Sequence, residues 1–226
     1  MSEYKFNLKL RGKNVRYRKW KVKDKKKFIS SLNNSKNENS AKDAKDALVY
    51  DCLENKRLVL SEEEYKYVLV KIRSETLGTK YQYVLNCDQC NQNFDHFVNI
   101  DAIYEQKYSK YSEISAGTHS IKMTDLKSKE FYDQSMNSAI NEEERYLIDF
   151  ILHIQSYNDN DGLSFNDINN IISEIDIGEF EEIIRKWDKM KFRINTVHEV
   201  QCKNCSDKAL YEFDVLPGFF PESWGI

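Results

Sequence analysis

The segments Cys87-Asp88-Gln89-Cys90 and Cys202-Lys203-Asn204-Cys205 decide how this chain folds, because each holds two thiols three positions apart. The first residues, 1–13, contain no apolar export signal, so disulfides are not expected to persist and paired cysteines indicate metal or redox chemistry. One short turn presents two thiolates to an ion, and two such turns complete the tetrahedral shell of structural zinc. We therefore predict that Cys87, Cys90, Cys202 and Cys205 bind one structural Zn²⁺.

The residues around both cysteine pairs predict β-hairpins. Strand-forming residues run over 80–86 before the first pair, and Phe94, Phe97 and Val98 after it allow a returning strand. The second pair lies between similar runs at 194–201 and 209–215. The two regions align without gaps, as a weak internal repeat. Each pair is then the tip of a hairpin, and two facing tips form a zinc ribbon.

Two other interpretations of the cysteines stay open. A redox C-x-x-C opens a helix whose dipole lowers the thiol pKa, whereas polar turn residues and strand-like sequence follow each pair here. The other interpretation is four buried thiols without a ligand. Asn91 and Ser206 stand where such turns often carry glycine, so we expect slight strain in the second turn.

The spacing of the two pairs requires a long insertion. The 111 residues between Cys90 and Cys202 exceed the usual ribbon spacing of about 15–20 residues, so the ends of the intervening segment must return together. We predict one α+β domain over 1–226. Its predicted segments are a basic β-hairpin at 1–21, a helical segment at 22–78, the first cysteine hairpin at 80–100, a mainly helical insertion at 101–190, the second cysteine hairpin at 192–216 and an aromatic tail at 217–226.

Apolar spacing places further elements inside these segments. A helix is predicted from Ser61 to Gly78, and others from about 141 through Ile154, over 164–174 and over 177–190. A short strand is predicted at 119–123. The acidic run 158–162 does not fit the ligand register of a calcium loop and is predicted to be a turn.

The N-terminal arm is strongly basic. Residues 1–27 hold 12 Lys and Arg against two acids, a charge of +10 that leaves −13 on the remainder for the net charge of −3. Apolar residues alternate on both sides of Gly12 and Asn14, which can take positive φ, so a hairpin with one apolar face is predicted. Its basic side chains are then the solvated face. Alternatively, they bind nucleic acid through Arg11, Lys13, Arg16, Arg18 and Lys19 with Tyr17 and Trp20.

Composition predicts a soluble, globular, intracellular protein. The 226 residues are 40% hydrophobic and 13% aromatic, which is enough for a sizeable core. The charged fraction of 31% is nearly balanced in sign, which argues against a disordered polyelectrolyte. No stretch approaches the roughly 20 apolar residues that span a bilayer, and no membrane partner is expected.

The sequence contains no recognised catalytic or nucleotide-binding motif. Its histidines, His96, His119, His153 and His198, have no metal-ligand or catalytic spacing to one another, and His153 is predicted to be a partly buried imidazole. Four thiolates leave zinc no open position for water, so a structural site is expected. We expect no enzyme and no small-molecule substrate. An enzyme with an unrecognised site stays open as an alternative.

Several motifs occur in a characteristic order. Leu10–Arg18 is followed by Val22–Lys26 and by the helical run Leu69–Ser74. The first C-x-x-C comes next, then Ile121–Asp125, and the second C-x-x-C precedes the aromatic ending Phe219–Trp224. In this order and spacing the chain resembles the T4-type bacteriophage baseplate protein family, which covers baseplate hub subunits and hub assembly proteins of contractile tails. It departs from the family in lacking glycine after each C-x-x-C and in its shortage of proline.

The resemblance implies a structural or assembly protein that contributes to the baseplate hub, as a component or as an assembly chaperone. Its partners would be other tail baseplate or hub proteins, in the host cytoplasm during assembly or in the virion tail. Phe219, Phe220 and Trp224 form a short apolar tail of the kind that inserts into a partner's pocket; the alternative is that the tail folds back on the cysteine hairpin. With Arg16 and Arg18 they are the candidate partner-binding residues.

Overall fold

The computed structural model describes residues 3–33, 44, 46–103, 106–107, 112–126 and 128–213. The strands are β1 Phe6–Leu10, β2 Lys13–Tyr17, β3 Lys80–Asn86, β4 Asn93–Asn99, β5 Gln106–Lys107, β6 Glu113–Ala116, β7 His119–Met123, β8 Ile154–Tyr157, β9 Asn160–Asp161, β10 Arg193–Ile194, β11 Val197–Gln201 and β12 Lys208–Glu212. The helices are α1 Val22–Asn33, α2 at 46–50, α3 Glu62–Leu77, α4 Ile100–Ile103, α5 Lys129–Ser138, α6 Glu142–Leu152, α7 Phe165–Ser173 and α8 Ile177–Met190.

The chain divides into two compact units. Unit 1 comprises Met1–Lys56, Glu62–Lys107 and Arg193–Ile226, and unit 2 comprises Arg57–Ser61 and Tyr108–Phe192. Both mix helices with small antiparallel sheets, in agreement with the α+β class. The domain boundaries given above stay predictions.

The N-terminal hairpin of unit 1 has one apolar face. Strands β1 and β2 pair antiparallel with Leu8 opposite Val15, and Leu8, Leu10, Val15 and Tyr17 are buried on one face. Arg11 and Gly12 form the turn with φ of 51° and 75°, because a two-residue hairpin turn of this hand needs two left-handed positions. Asn14 was expected to supply a positive φ, but it lies in β2 opposite Lys9.

Helix α3 contributes much of the buried surface of unit 1. Val68, Val70 and Ile72 are completely buried, so the helix is enclosed on more than one face. Gly78 ends it as expected, with φ of 91° and an N–H that donates to the Ser74 carbonyl.

The cysteine hairpins of unit 1 follow the predicted pattern. Strand β3 pairs with β4, and β11 pairs with β12, so each C-x-x-C lies at a hairpin tip. Between the two hairpins in sequence, β5 pairs antiparallel with β10, with Lys107 opposite Arg193. The ends of the intervening segment therefore return together, as one shared ion requires.

Unit 2 combines helices α5–α8 with a four-stranded sheet in the order β6-β7-β8-β9. The predicted strand at 119–123 and the helices at 164–174 and 177–190 are confirmed, with Ser164 and Asp167 forming a capping box on α7. Ile121, Phe150, Ile183 and Trp187 are buried in its core. None of the helices in the described ranges is long and apolar enough to cross a bilayer.

The helix predicted through Ile154 is shorter than expected. Helix α6 ends at Leu152 with His153 as its C-cap, and Ile154 begins β8. Strand β8 pairs with β7, so its backbone groups are satisfied by the sheet. The turn that follows contains Asn158 and Asp159 in left-handed conformations, in agreement with the predicted acidic turn.

Candidate metal centre

The two cysteine turns share one backbone geometry. In the first, the Cys87 N–H donates to the Gln92 carbonyl and the Asn91 N–H donates back to the Cys87 carbonyl. In the second, the Cys202 N–H donates to Asp207 and the Ser206 N–H donates to Cys202. The hydrogen bonds thus connect equivalent positions, as the gapless alignment of the two segments predicted.

Each turn places one residue in a left-handed conformation four positions after its first cysteine. Asn91 has φ of 53° and Ser206 has φ of 64°. These are the two positions where the sequence lacks the expected glycine. Asparagine tolerates this region better than serine does, so the strain predicted for the second turn applies to Ser206.

The inner faces of the two hairpins pack through aromatic rings. Phe213, at the end of the second hairpin, is 1% exposed. Its ring lies 4.6 Å from that of Tyr83 on the first hairpin. The Tyr211 hydroxyl donates to the Asn86 carbonyl at 2.9 Å. These contacts bring together hairpins that are more than a hundred residues apart in the chain.

The packing brings all four thiols to one point. Their sulfur atoms lie within 4.8 Å of one another. Cys87 Sγ is 3.6 Å from Cys205 Sγ, and Cys90 Sγ is 3.8 Å from Cys202 Sγ. A tetrahedral zinc ion with Zn–S bonds of about 2.3 Å separates its sulfur ligands by about 3.8 Å, so the cluster has the dimensions of a tetrathiolate site.

The environment of the thiols favours a bound cation. Burial raises the pKa of Cys202, but backbone N–H groups of Cys205 and Asn204 and the neighbouring thiols outweigh it and lower the pKa to about 7. A hydrogen bond from the Asp207 backbone lowers the pKa of Cys205, but burial and the other thiols raise it to about 12. The thiols therefore titrate as a coupled group, because like charges this close repel. A divalent cation relieves that repulsion and allows all four to ionise.

The histidines have other surroundings. His96 and His198 pack against Phe213, with ring centroids 6.3 and 6.1 Å away. His119 contacts the Tyr157 hydroxyl and the Glu179 carboxylate. His153 is 2% exposed and its Nδ1 bonds the Asp149 carbonyl, so it is more buried than predicted. Among the described residues, the cysteines are the group that could hold a metal ion.

The N-terminal hairpin and the residues just after it expose fewer basic and aromatic side chains to solvent than the sequence suggested. Arg18 is 3% exposed, and its guanidinium makes two hydrogen bonds to the Asp24 carboxylate. It is thus engaged within the chain, and its role as a partner-binding residue stays a prediction. Tyr17 and Trp20 are buried and offer no surface for stacking on bases. Arg16 is exposed and bonds the Glu54 carboxylate.

The sequence did not indicate several of the contacts that surround the four thiols. Lys203, inside the second C-x-x-C, donates to the Asp95 carbonyl on the first hairpin and lies 5.9 Å from the Phe97 ring centroid. Tyr211 spans the hairpins as described above. Side chains alternate between the two faces of β12, and this alternation is the one feature of the sequence that could have placed Tyr211 on the inward face. The predicted tail residues Phe219, Phe220 and Trp224 lie outside the described residues.

Comparison with known proteins adds one finding. A family model described as T4 bacteriophage base plate protein matches residues 1–221. The match covers both cysteine hairpins and everything between them. No curated protein and no solved structure matches the chain.

Proposed function

This chain belongs to the T4 bacteriophage base plate protein family, and from that membership we propose that it is a structural or assembly protein that contributes to the baseplate hub of a contractile tail. Its partners are other baseplate or hub proteins. It acts in the host cytoplasm during assembly, in the virion tail, or in both. We propose no catalytic role.

We also propose that Cys87, Cys90, Cys202 and Cys205 bind one structural Zn²⁺. The observation that carries this proposal is the convergence of the four sulfur atoms within 4.8 Å from two hairpins with matching backbone turns. An all-thiolate shell of this size selects zinc over hard cations such as Mg²⁺ or Ca²⁺. Its role is to hold the two hairpins of unit 1 together.

Elemental analysis of the purified chain tests the metal proposal. We expect one zinc per chain, and we expect Cys202→Ser to lose it together with much of the stability of unit 1, because structural zinc contributes on the order of 10 kcal/mol in small zinc domains. Cys52→Ser is the matched control, since Cys52 is a buried thiol outside the cluster. It should retain zinc. A wild-type chain purified without zinc would contradict the proposal.

Co-purification tests the baseplate role. We expect the tagged full chain, co-expressed with the other baseplate proteins of its phage, to recover at least one of them in stoichiometric amount. Alanine substitution of Phe219, Phe220 and Trp224 together should reduce the recovery, and Arg16→Ala should reduce it less, because an apolar anchor contributes more binding energy than a rim charge. Recovery of no tail protein by the wild-type chain would refute the role.

A further inference from the structure

A groove in unit 2 separates its two apolar clusters. One cluster contains Ile151 and Ile168, and the other contains Leu126 and Tyr132. The groove between them has a volume of about 180 Å³, and none of its lining residues is charged. An apolar cavity of about 150 Å³ accepts a benzene ring, so this groove has room for one aromatic side chain.

The mouth of the groove carries two aromatic rings. Phe131 on α5 is 47% exposed. Its ring lies 6.2 Å from that of Phe165 at the start of α7, with an interplanar angle of 83°. A further aromatic ring placed at the mouth can make the same kind of contact, and each aromatic pair adds about 0.5–1.5 kcal/mol beyond its buried area. The mouth therefore favours an aromatic occupant over an aliphatic one.

The chain itself supplies a segment of matching chemistry. Residues 214–226, here called the C-terminal segment, follow Phe213, the last described residue. Phe219, Phe220 and Trp224 fall within six positions, and the run 215–221 contains no charged residue. Thirteen residues span up to about 43 Å when extended, which is long enough to reach a neighbouring molecule.

We infer that the groove of unit 2 receives the C-terminal segment of a second copy of this chain. The uncharged aromatic run enters the uncharged groove, and one of its rings packs against Phe131 and Phe165. Groove and segment are different surfaces, so the contact is heterologous and links copies head to tail into a ring or an open chain. The inference rests on the proposed role of the C-terminal aromatics as a binding element and adds a second copy of this chain to the partners that they bind.

Sedimentation of the purified full chain over a concentration series up to about 100 µM tests the contact. We expect the wild-type chain to self-associate. Phe131→Asp should weaken the association at least tenfold, and so should joint alanine substitution of Phe219, Phe220 and Trp224. Phe131 lies in the first turn of α5, where an acidic residue favours the helix, so this variant should fold. Ile140→Asp is the matched control, because Ile140 is 90% exposed and lies outside the groove lining.

Mixing the two weakened variants gives the decisive measurement. The Phe131→Asp chain keeps its C-terminal segment and the alanine variant keeps its groove, so an equimolar mixture should form a one-to-one dimer that neither variant forms alone. A monomeric wild-type chain, an equal loss in Ile140→Asp, or a mixture that stays monomeric would overturn the inference. A monomeric wild-type chain that still recovers baseplate proteins would refute this contact and leave the proposed function intact.

Discussion

Ser206 is held in a conformation that few residues adopt without cost. Its φ of 64° lies in the left-handed region, where an L-residue with a Cβ is disfavoured by about 1–2 kcal/mol. The hydrogen bond from its N–H to the Cys202 carbonyl fixes this conformation, because the turn must direct both thiols to one point. The strain is thus imposed by the geometry of the cysteine turn.

Replacing Ser206 by glycine should stabilise the zinc-loaded chain. Glycine adopts positive φ freely, but it loses more entropy on folding, so we expect a net gain of about 0.5–1 kcal/mol. Urea denaturation at saturating zinc measures the change in the free energy of unfolding. Asn91→Gly is the matched comparison and should gain less, because asparagine tolerates this region. A larger gain for Asn91→Gly than for Ser206→Gly would contradict this explanation.

The sequence predicted the convergence of the four thiols better than it predicted the contacts around them. The thiols could be predicted because the spacing within each C-x-x-C is set by the chemistry of one ion. The contact of Lys203 could not be predicted, because its ammonium donates to the Asp95 carbonyl, 108 positions away in the sequence. Such a partner depends on how the two hairpins pack, and local spacing carries no record of it.

A buried ion pair joins the N-terminal hairpin to α1. Arg18, just after β2, holds Asp24 in the first turn of α1. The Asp24 carboxylate also accepts the Lys21 N–H at 2.7 Å. Burial raises the pKa of Asp24, but the hydrogen bonds from Arg18 and Lys21 outweigh it and hold the pKa below its ordinary value of 3.8.

Asp24→Asn should destabilise unit 1 by about 3 kcal/mol at neutral pH, because it leaves the buried Arg18 charge without its partner. The folded-state pKa is depressed, so the contribution is present above about pH 4 and is lost as the pH falls below it. Thermal unfolding between pH 3 and pH 7 should show the two proteins converging in acid. Glu54→Gln, at an exposed pair with Arg16, is the control and should cost less than about 1 kcal/mol. Equal losses in both variants would contradict the argument.

The spacing of apolar residues predicted the long helices that are flanked by loops. It failed where a helix is followed directly by a strand, as at the end of α6. The run from Phe150 to Ile154 is almost wholly apolar, and such a run fits a helix or a buried strand equally well. Pairing of β8 with β7 decides between them, and that pairing is non-local. For the same reason the sequence indicated one strand of the sheet in unit 2 and missed the others.

The order of the cysteine pairs along the chain constrains the topology of unit 1. Two half-sites separated by 111 residues can share an ion only if the chain between them leaves and returns at one place. That constraint was predictable, because it follows from the shell of the metal alone. The division into two units was not, since the sequence gives no linker rich in proline or glycine at 108 or 192 to mark a boundary.

The pairing of Lys107 with Arg193 also has an evolutionary consequence. Opposed residues of an antiparallel pair lie about 5 Å apart, a gap that a tight turn of two or three amino acids can bridge. Most of unit 2 is thus an insertion whose length can change by recombination while both cysteine hairpins keep their connection through β5 and β10.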